Sequence, residues 1–319
     1  MASSRRGFIK TTALAGASYA VLGSESRAGN LAHLPRRRFG RHNDELSIIG
    51  FGGIVVRDAD PVEAARRVAE AFEKGVNYYD VAPSYGDAEV KLGPALAPYR
   101  KRSFLACKTG KRDRAAAEQE FQRSLEHLQT DYFDLYQLHA ITDVAKDVDA
   151  AFAPGGVMEF LIEAKKQGRV RYLGFSAHSI EAAQAALDRY PFDSILFPVN
   201  FASYVADDFG PQVLKLAEEK GVARLALKAL ARQSWPKDDP MREEYKKCWY
   251  QPLTDPHQAA LALRFTLNKP VTAAIPPGDE RLFRLALDLA LRDIQPLNSN
   301  EEKELYALID GLNPIFRKA

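Results

Sequence analysis

Cysteine is scarce in this chain, and its two cysteines lie far apart. Cys107 and Cys248 are the only ones among 319 residues. Two cysteines cannot supply a disulfide framework, and without CxxC spacing they indicate neither a zinc site nor an iron–sulfur cluster. The histidines are scattered without the spacing of metal ligands. We therefore predict no bound metal, and we interpret Cys107 as a small buried residue rather than a nucleophile.

Charge of one sign is not in excess either. The chain carries 44 Lys and Arg against 42 Asp and Glu, a formal net charge of +2. It also lacks a basic stripe with interleaved aromatic residues, the pattern that favours nucleic-acid binding. We therefore predict no nucleic-acid partner. With 46% hydrophobic residues over 319 positions, the chain can bury a large core as one domain of barrel size.

The first thirty residues differ in kind from the rest. An Ala-rich run at positions 11–23 is too short and too mild to span a bilayer as a stable helix. It follows Ser-Arg-Arg-Gly-Phe-Ile-Lys at positions 4–10, a twin-arginine export pattern, and precedes the small-x-small sequence Ser-Arg-Ala at 26–28. We predict a signal peptide at 1–30, no stable membrane insertion, and export of the 31–319 domain to the periplasm by the twin-arginine machinery. A disordered basic tail is the alternative interpretation.

From position 46 onward, short apolar runs alternate with amphipathic stretches. Eight such units in about 250 residues favour a (β/α)₈ barrel over a doubly wound open sheet. The sequence Gly-Phe-Gly-Gly at 50–53 does not open a helix, so the Gly-x-Gly-x-x-Gly fingerprint of a Rossmann domain is missing. The predicted strands cover residues 46–53, 76–80, 103–108, 132–139, 170–176, 194–201, 222–228 and 271–275.

Polar side chains stand at the carboxyl ends of three consecutive predicted strands. Asp80, Lys108 and His139 close the second, third and fourth strands, and Tyr85 follows the second within a Pro/Ser/Gly loop. Active sites of barrels lie at this end of the strands, so we expect all four in one pocket. An ammonium beside a phenol lowers its pKa, and an imidazole can donate a hydrogen bond to a substrate oxygen. This set suits proton transfer to a carbonyl oxygen.

Three sequence motifs resemble those of the aldo-keto reductases. They are Tyr-Asp-Val-Ala-Pro-Ser-Tyr-Gly at 79–86, Cys-Lys-Thr at 107–109 and Asp-Leu-Tyr-Gln-Leu-His at 134–139, and the likeness extends from about residue 46 to residue 292. The resemblance implies a barrel that binds NADP(H) without a Rossmann domain and reduces aldehydes or ketones. It implies that Tyr85 is the general acid, that Lys108 and Asp80 tune it, and that His139 orients the substrate.

The resemblance extends less evenly to residues that would hold the cofactor. Ser176 matches the serine that binds the nicotinamide carboxamide, whereas Ala177 replaces the family's Asn. Asn200 falls where the family has Gln or Asn. Leu227 occupies the position of an aromatic that stacks on nicotinamide, and Lys228 follows as a possible cation for the pyrophosphate.

The segment after the eighth strand resembles the loop that grips the 2′-phosphate of NADP. Arg284 fits the place of the family's phosphate-binding arginine, and Arg281 is a second candidate. The family's usual Lys is missing, and Asp279 and Glu280 add negative charge. We expect NADP(H), with NAD(H) possible. Asp288 is equally a candidate for adenine contact or a residue of a solvated helix face.

Other functions remain open from sequence alone. A Schiff-base aldolase on the same barrel would use Lys108 as its nucleophile. An exported NADP(H)-binding redox sensor or partner-binding subunit would show little turnover. Trp235, Trp249 and Tyr250, in the irregular stretch after the seventh strand, could form a lid over the site or simply pack between loop and barrel.

Overall fold

The computed structural model describes residues 32–317, which contain twelve strands. A barrel is formed by eight of them, and two antiparallel hairpins, β1–β2 and β10–β11, account for the rest. The strands are β1 (Arg36–Arg38), β2 (Glu45–Ser47), β3 (Phe51–Gly52), β4 (Tyr78–Asp80), β5 (Phe104–Thr109), β6 (Phe133–Ile141), β7 (Val170–Ala177), β8 (Ser194–Pro198), β9 (Ala223–Leu227), β10 (Ala231–Ser234), β11 (Tyr250–Pro252) and β12 (Ala273–Ile275). The predicted signal peptide at 1–30 lies outside the described residues.

The described residues contain twelve α-helices, most of which follow the barrel strands and cover the outside of the sheet. They are α1 (Pro61–Glu73), α2 (Ala88–Leu96), α3 (Arg114–Leu128), α4 (Ala150–Phe152), α5 (Val157–Lys166), α6 (Ile180–Arg189), α7 (Phe201–Ala206), α8 (Pro211–Glu219), α9 (Met241–Glu244), α10 (Pro256–Leu267), α11 (Glu280–Arg292) and α12 (Ser299–Ala307). Within residues 32–317, no helix is both long and apolar enough to cross a membrane.

The eight parallel strands close into the predicted (β/α)₈ barrel. Their order around the sheet is β3-β4-β5-β6-β7-β8-β9-β12. A parallel bridge between Ile49 and Ala274, with hydrogen bonds in both directions around it, joins the first strand region to the last. The fold-class prediction is therefore confirmed. The predicted first strand at 46–53 is interrupted, because its first residues belong to β2 and its last begins a 3₁₀ turn, Gly53–Val56.

Local sequence signals set the helix boundaries. Asp60 caps α1 through hydrogen bonds from the backbone N–H groups of Val62 and Glu63, and Pro61 occupies the first helical position. After α5 and α8, Gly168 and Gly221 adopt positive φ values of 77° and 66°. Only glycine takes this left-handed conformation at little cost, so both residues end their helices.

The hairpin β1–β2 covers the amino-terminal end of the barrel. Phe39 and Leu46 are fully buried against residues near the starts of the barrel strands, including Tyr78, Phe104 and Leu135. Burying two such side chains contributes about 1.5–3 kcal/mol each. The opposite, carboxyl-terminal end stays open as a cavity, so the hairpin fixes which end of the barrel can hold a ligand.

The chain between β9 and α10 forms a strap across the open end of the barrel. The strap, residues 231–252, consists of the hairpin β10–β11 with the short helix α9 between its strands. The sequence pattern predicts only an irregular stretch here, since the strands are three and four residues long. The C-terminal segment joins this region, because Asn313 hydrogen bonds to Ser234 and Gln233 of the strap.

Candidate active site

The four residues predicted at the strand ends line one cavity of about 360 Å³ at the open end of the barrel. Strands β4, β5 and β6 are adjacent and parallel, with Asp80 opposite Ala106 and Lys108 opposite Gln137. Asp80 ends β4, Lys108 and His139 lie near the ends of β5 and β6, and Tyr85 follows β4 in the loop. The structure therefore brings all four side chains together.

Asp80 and Lys108 form a buried ion pair beneath the cavity. Their side chains are 3% and 0% exposed, and the Lys108 ammonium donates directly to Asp80. Asp80 also accepts hydrogen bonds from the Tyr78 hydroxyl at 3.2 Å and the Gln137 amide at 3.0 Å. Burial lowers the pKa of Lys108, but the charge of Asp80, its hydrogen bond and the nearby Tyr85 and Cys107 together raise that pKa above its ordinary value. Lys108 is thus held as an ammonium.

The Tyr85 hydroxyl lies next to this ion pair, on its cavity side. Its oxygen is 3.5 Å from the Lys108 ammonium nitrogen, and that nitrogen is 5.1 Å from the centre of the phenol ring. Burial raises the pKa of Tyr85, and the Lys108 charge only partly reverses the effect. The expectation that Lys108 brings the pKa of Tyr85 below its ordinary value is therefore not met in this structure, because desolvation is the larger influence. Tyr85 carries its proton at neutral pH.

His139 is a neutral imidazole beside Tyr85. The two rings meet edge to face with centroids 5.7 Å apart. Burial, and to a lesser extent the charge of Lys108, lower the pKa of His139 to about 3. The Nδ1 atom lies 3.4 Å from the Ser84 hydroxyl, a contact that sequence reasoning missed although Ser84 directly precedes Tyr85. A neutral imidazole can donate one N–H to a substrate oxygen without adding charge to the site.

The opposite wall of the cavity contains three of the six predicted cofactor contacts. Ser176, Leu227 and Lys228 all line it. The Ser176 hydroxyl oxygen accepts a 2.7 Å hydrogen bond from the backbone N–H of Ala140, which leaves its own proton free to be donated. Leu227 ends β9 and presents an aliphatic surface to the cavity.

Lys228 is a partly buried cation on the cavity wall. Its backbone is left-handed, with φ of 69°, and its ammonium lies 5.1 Å from the Trp249 ring centre and 4.9 Å from that of Tyr250. Burial lowers its pKa to about 8. In the described part of the chain no carboxylate forms an ion pair with Lys228, in contrast to Lys108. This side chain can supply positive charge to an anionic group within the cavity.

Asn200 has a structural position rather than a place on the cavity wall. Its side-chain oxygen caps α7 by accepting from the backbone N–H groups of Ala202 and Ser203, each at 3.1 Å. Its amide nitrogen donates to the backbone carbonyls of Lys228 and Ala231. All its polar atoms are thus used, and Asn200 braces the left-handed turn at Lys228 instead of facing a cofactor.

Aromatic residues close the far side of the cavity. His178 lines the cavity and stacks on Phe316 of the C-terminal segment, with centroids 5.2 Å apart. Its buried Nε2 has no hydrogen-bond partner, and burial lowers the pKa of His178 to about 4. Phe316 also stacks on Phe209 at 5.3 Å. Sequence reasoning missed Phe316, because no local pattern shows that the C-terminus crosses the barrel's open end.

The strap is fastened over the cavity by Lys247. The Lys247 ammonium donates to three backbone carbonyls of the turn after β3, those of Ile54, Val55 and Arg57, at 3.2, 3.4 and 2.6 Å. Trp249 lines the cavity but is 56% exposed, and Trp235 donates to the Cys248 carbonyl at 2.9 Å. Of the two interpretations of these aromatics, Trp235 fits packing within the strap and Trp249 fits a lid.

Arg281 and Arg284 lie outside the cavity wall, at the first turns of α11. Arg281 donates twice to the carboxylate of Asp279, at 3.0 and 3.1 Å. Arg284 pairs with Glu70 at 2.6 Å and with Glu280 at 3.3 Å. Asp288 pairs with Lys74 at 2.7 Å, which agrees with the solvated helix face. Both candidate arginines for a 2′-phosphate already hold carboxylates.

Metal ligands do not gather in this region. Among residues 32–317 there is no group of three or more His, Cys, Asp or Glu side chains arranged to hold a metal ion. Cys107 is buried in β5 beneath the site, and burial raises the pKa of its thiol well above the ordinary value. A protonated, inaccessible thiol is a poor nucleophile.

Comparison with known proteins agrees with this geometry. The family model of the aldo/keto reductase family matches residues 48–305. An uncharacterized oxidoreductase of Bacillus subtilis, YqkF, is 24% identical over 304 residues, covering 85% of this chain and 95% of that protein. The L-galactose dehydrogenase of Arabidopsis thaliana is 28% identical over 66% of this chain and 71% of its own length.

A solved structure shows the same architecture. The holo form of the aldo-keto reductase AKR11C1 from Bacillus halodurans superimposes with a TM-score of 0.68 and 25% sequence identity, covering 89% of this chain and 99% of that one. The match therefore includes the whole barrel of the solved protein. Together with the family match, it shows that this chain belongs to the aldo/keto reductase family and is a nicotinamide-dependent oxidoreductase that acts on carbonyl groups.

Proposed function

We propose that the protein reduces aldehyde or ketone carbonyls to alcohols with Tyr85 as the general acid. The observation that carries this proposal is the position of the Tyr85 hydroxyl. It lies in the cavity, 3.5 Å from the buried Lys108 ammonium and against the ring of His139. A proton donor, a fixed positive charge and a neutral N–H donor thus surround one point where a carbonyl oxygen can be placed.

Each residue has a distinct part in the proton transfer. The reduced nicotinamide supplies the hydride to the carbonyl carbon when bound. Tyr85 gives its proton to the carbonyl oxygen as negative charge develops there. The tyrosinate that results is stabilised by the Lys108 ammonium, whose position and charge depend on Asp80. His139 donates a hydrogen bond to the same oxygen and keeps it aligned with the Tyr85 hydroxyl.

The residues on the opposite wall fit a nicotinamide cofactor. Ser176 offers a free hydroxyl proton to a carboxamide oxygen, and Leu227 offers an apolar surface to a flat ring. The Lys228 ammonium, which no described carboxylate pairs, suits a diphosphate. The strap lies over this wall and would have to open for a cofactor to enter or leave. NADP(H) is the expectation from sequence, and it depends on Arg281 and Arg284.

The Schiff-base alternative is disfavoured by the charge of Lys108. An amine nucleophile must lose its proton, yet Asp80 raises the pKa of Lys108 above the ordinary value of a free lysine. A redox sensor that retains its cofactor is the second candidate function. It is favoured by one observation, the three carbonyl hydrogen bonds through which Lys247 fastens the strap over the cavity.

Export by the twin-arginine route remains part of the proposal. It is supported by the arginine pair within Ser-Arg-Arg-Gly-Phe-Ile-Lys at positions 4–10. Expression of the full chain, with cell fractionation, tests it. We expect the protein in the periplasmic fraction, and its retention in the cytoplasm when both arginines are changed to lysine. Equal distribution of the two forms would contradict export by this route.

The decisive experiment on function compares Tyr85→Phe with the unchanged enzyme. Oxidation of NADPH and NADH is followed by absorbance with a panel of aldehydes, ketones and quinones. We expect the substitution to lower kcat by roughly 10²–10⁴-fold, the usual contribution of a general acid, with cofactor affinity little changed. Tyr306→Phe, a matched change on the exposed helix α12, is the control.

Two results would contradict the proposal. Undiminished turnover in Tyr85→Phe would remove Tyr85 from the mechanism. Tight cofactor binding with no turnover of any carbonyl in the unchanged enzyme would favour the redox sensor instead.

A further inference from the structure

The cavity extends along the loop after β12 towards the amino end of helix α11. The cavity is lined there by Pro276, Pro277 and Gly278, and Asp279 and Glu280 follow at once. In barrels, phosphate groups are commonly bound by the loops after the seventh and eighth strands. An extended dinucleotide with its nicotinamide at Tyr85 would therefore place its adenosine end near the start of α11. The following steps rest on the proposed function.

The amino end of α11 is already occupied by a carboxylate. Asp279 caps the helix by accepting a 3.0 Å hydrogen bond from the backbone N–H of Arg281. A free helix amino end attracts anions, because its N–H groups are unpaired and the helix dipole is positive there. With Asp279 in that place, the end is capped internally and offers less to a phosphate.

The arginines nearby are also committed to carboxylates. Arg281 holds Asp279, and its guanidinium lies 4.2 Å from the ring centre of Tyr245. Arg284 holds Glu70 at 2.6 Å and Glu280 at 3.3 Å. Either arginine would have to leave its partner to meet a 2′-phosphate. The released carboxylate would then face a group that carries nearly two negative charges at neutral pH.

The wider network is balanced in charge. Glu280 also pairs with Arg66 and Arg67 of α1, and Lys74 pairs with Asp288. The network contains five cations and five carboxylates, namely Arg66, Arg67, Lys74, Arg281 and Arg284 against Glu63, Glu70, Asp279, Glu280 and Asp288. The nearby Lys247 is directed at backbone carbonyls of the turn after β3. Two further cations line the cavity nearby, and each has a carboxylate partner: Arg57 pairs with Asp58 at 3.2 Å, and Lys246 pairs with Glu243 at 3.2 Å. A dianion would therefore have to displace a partner that the protein already supplies.

We infer that the cofactor of this enzyme is NAD(H) rather than NADP(H). A ribose 2′-hydroxyl is neutral and can donate a hydrogen bond to a carboxylate such as Asp279 or Glu280, and it leaves the ion pairs intact. Acidic residues play this part towards NAD in dinucleotide-binding folds, and a free arginine plays the opposite part towards NADP. The expectation of NADP(H) from the sequence counts Arg281 and Arg284 without their partners.

The test is an equilibrium titration of the purified full chain with NADH and with NADPH. Binding is followed by energy transfer from tryptophan to the reduced nicotinamide, since Trp249 lines the cavity. We expect the Kd for NADH to be at least tenfold lower than that for NADPH. Two variants lower the negative charge. Glu280→Gln removes the carboxylate that three arginines share, and Asp279→Ser removes a charge while keeping a residue that can cap the helix.

Both variants should lower the ratio of the NADPH Kd to the NADH Kd at least threefold, chiefly because NADPH binds more tightly. Glu219→Gln, an equal loss of charge on the exposed surface of α8, should leave both Kd values unchanged. Equal or tighter binding of NADPH to the unchanged protein would overturn the inference, as would an unchanged preference in both variants. Binding of neither cofactor would overturn the proposed function together with the inference. NADH preference without turnover of any carbonyl would remove the proposed function alone.

Discussion

Breaking the Asp80–Lys108 pair should cost more stability than removing both of its members. In Asp80→Asn, the Lys108 ammonium stays fully buried beside neutral acceptors alone, namely the new amide oxygen, the Val81 carbonyl at 3.3 Å and the Tyr85 hydroxyl at 3.5 Å. Leaving one member of a buried pair uncompensated costs about 3–5 kcal/mol. In Lys108→Met, Asp80 keeps its hydrogen bonds from Tyr78 and Gln137, which partly offset the loss.

The double variant separates the pair from its surroundings. With Asn at 80 and Met at 108, neither charge remains to be buried alone. We therefore expect the double variant to be more stable than the sum of the two single effects implies, by about 1–3 kcal/mol, the usual coupling of residues in contact. Reversible urea unfolding followed by tryptophan fluorescence gives each free energy of unfolding. All three variants should also lose most of their kcat, since each deprives Tyr85 of its adjacent charge.

A simple result would refute this reasoning. If each single variant lost less than about 1 kcal/mol, a typical value for an exposed ion pair, burial would not govern the pair. Additivity of the two single effects would show that Asp80 and Lys108 are stabilised independently. Glu219→Gln on the exterior is a suitable control. A Gln137→Glu variant is not, because Gln137 donates to Asp80.

Further predictions concern pH, charge and shape. His139 and His178 have pKa values of about 3 and 4 in the fold, against about 6.5 when unfolded, so the unfolded chain takes up protons first as the pH falls. Stability should then fall from pH 6.5 towards pH 4 by up to about 1.4 kcal/mol per pH unit for each histidine, measurable by urea unfolding. Lys228→Met should raise the Kd for reduced cofactor about tenfold or more. In the unchanged protein that Kd should rise as the pH increases above the Lys228 pKa of about 8, because the ammonium loses its charge. A Cβ at Gly278 would clash with a side-chain carbon of Ile54. Gly278→Ala should therefore move this loop and weaken cofactor binding. Unchanged cofactor binding in this variant would contradict the close approach of the loop to Ile54.

The barrel could be predicted because its signals are local. Each strand is a short apolar run followed by a helix with one apolar face, and a barrel is the regular arrangement of eight such units. The break in the predicted first strand could not be foreseen, since Ile48 and Gly50 form hydrogen bonds across the closure with Ala274, more than 220 residues away. The hairpin within the strap was not predicted, because strands of three and four residues are too short to show a clear alternation of apolar and polar residues.

The site divides in a similar way. Asp80, Lys108 and His139 were predictable because parallel neighbouring strands must bring their carboxyl ends together. Asn200 misled because a polar residue at a strand end can face a ligand or cap the next helix, and only its hydrogen bonds distinguish the two. Arg284 was seen without Glu70, its partner from a distant helix. Sequence showed which residues could bear the chemistry, but not which were already engaged.

The hairpin β1–β2 gives the molecule a back and a front. Phe39 and Leu46 plug one end of the barrel, whereas Tyr85 and the strap stand at the other. The first described residues lie beside this plug, because the backbone N–H of Leu34 donates to the carbonyl of Lys74, shortly before β4. An affinity tag or a surface linkage placed at this end would hold the protein with its cavity facing the solution. Binding and release of substrate and cofactor should then be unaffected.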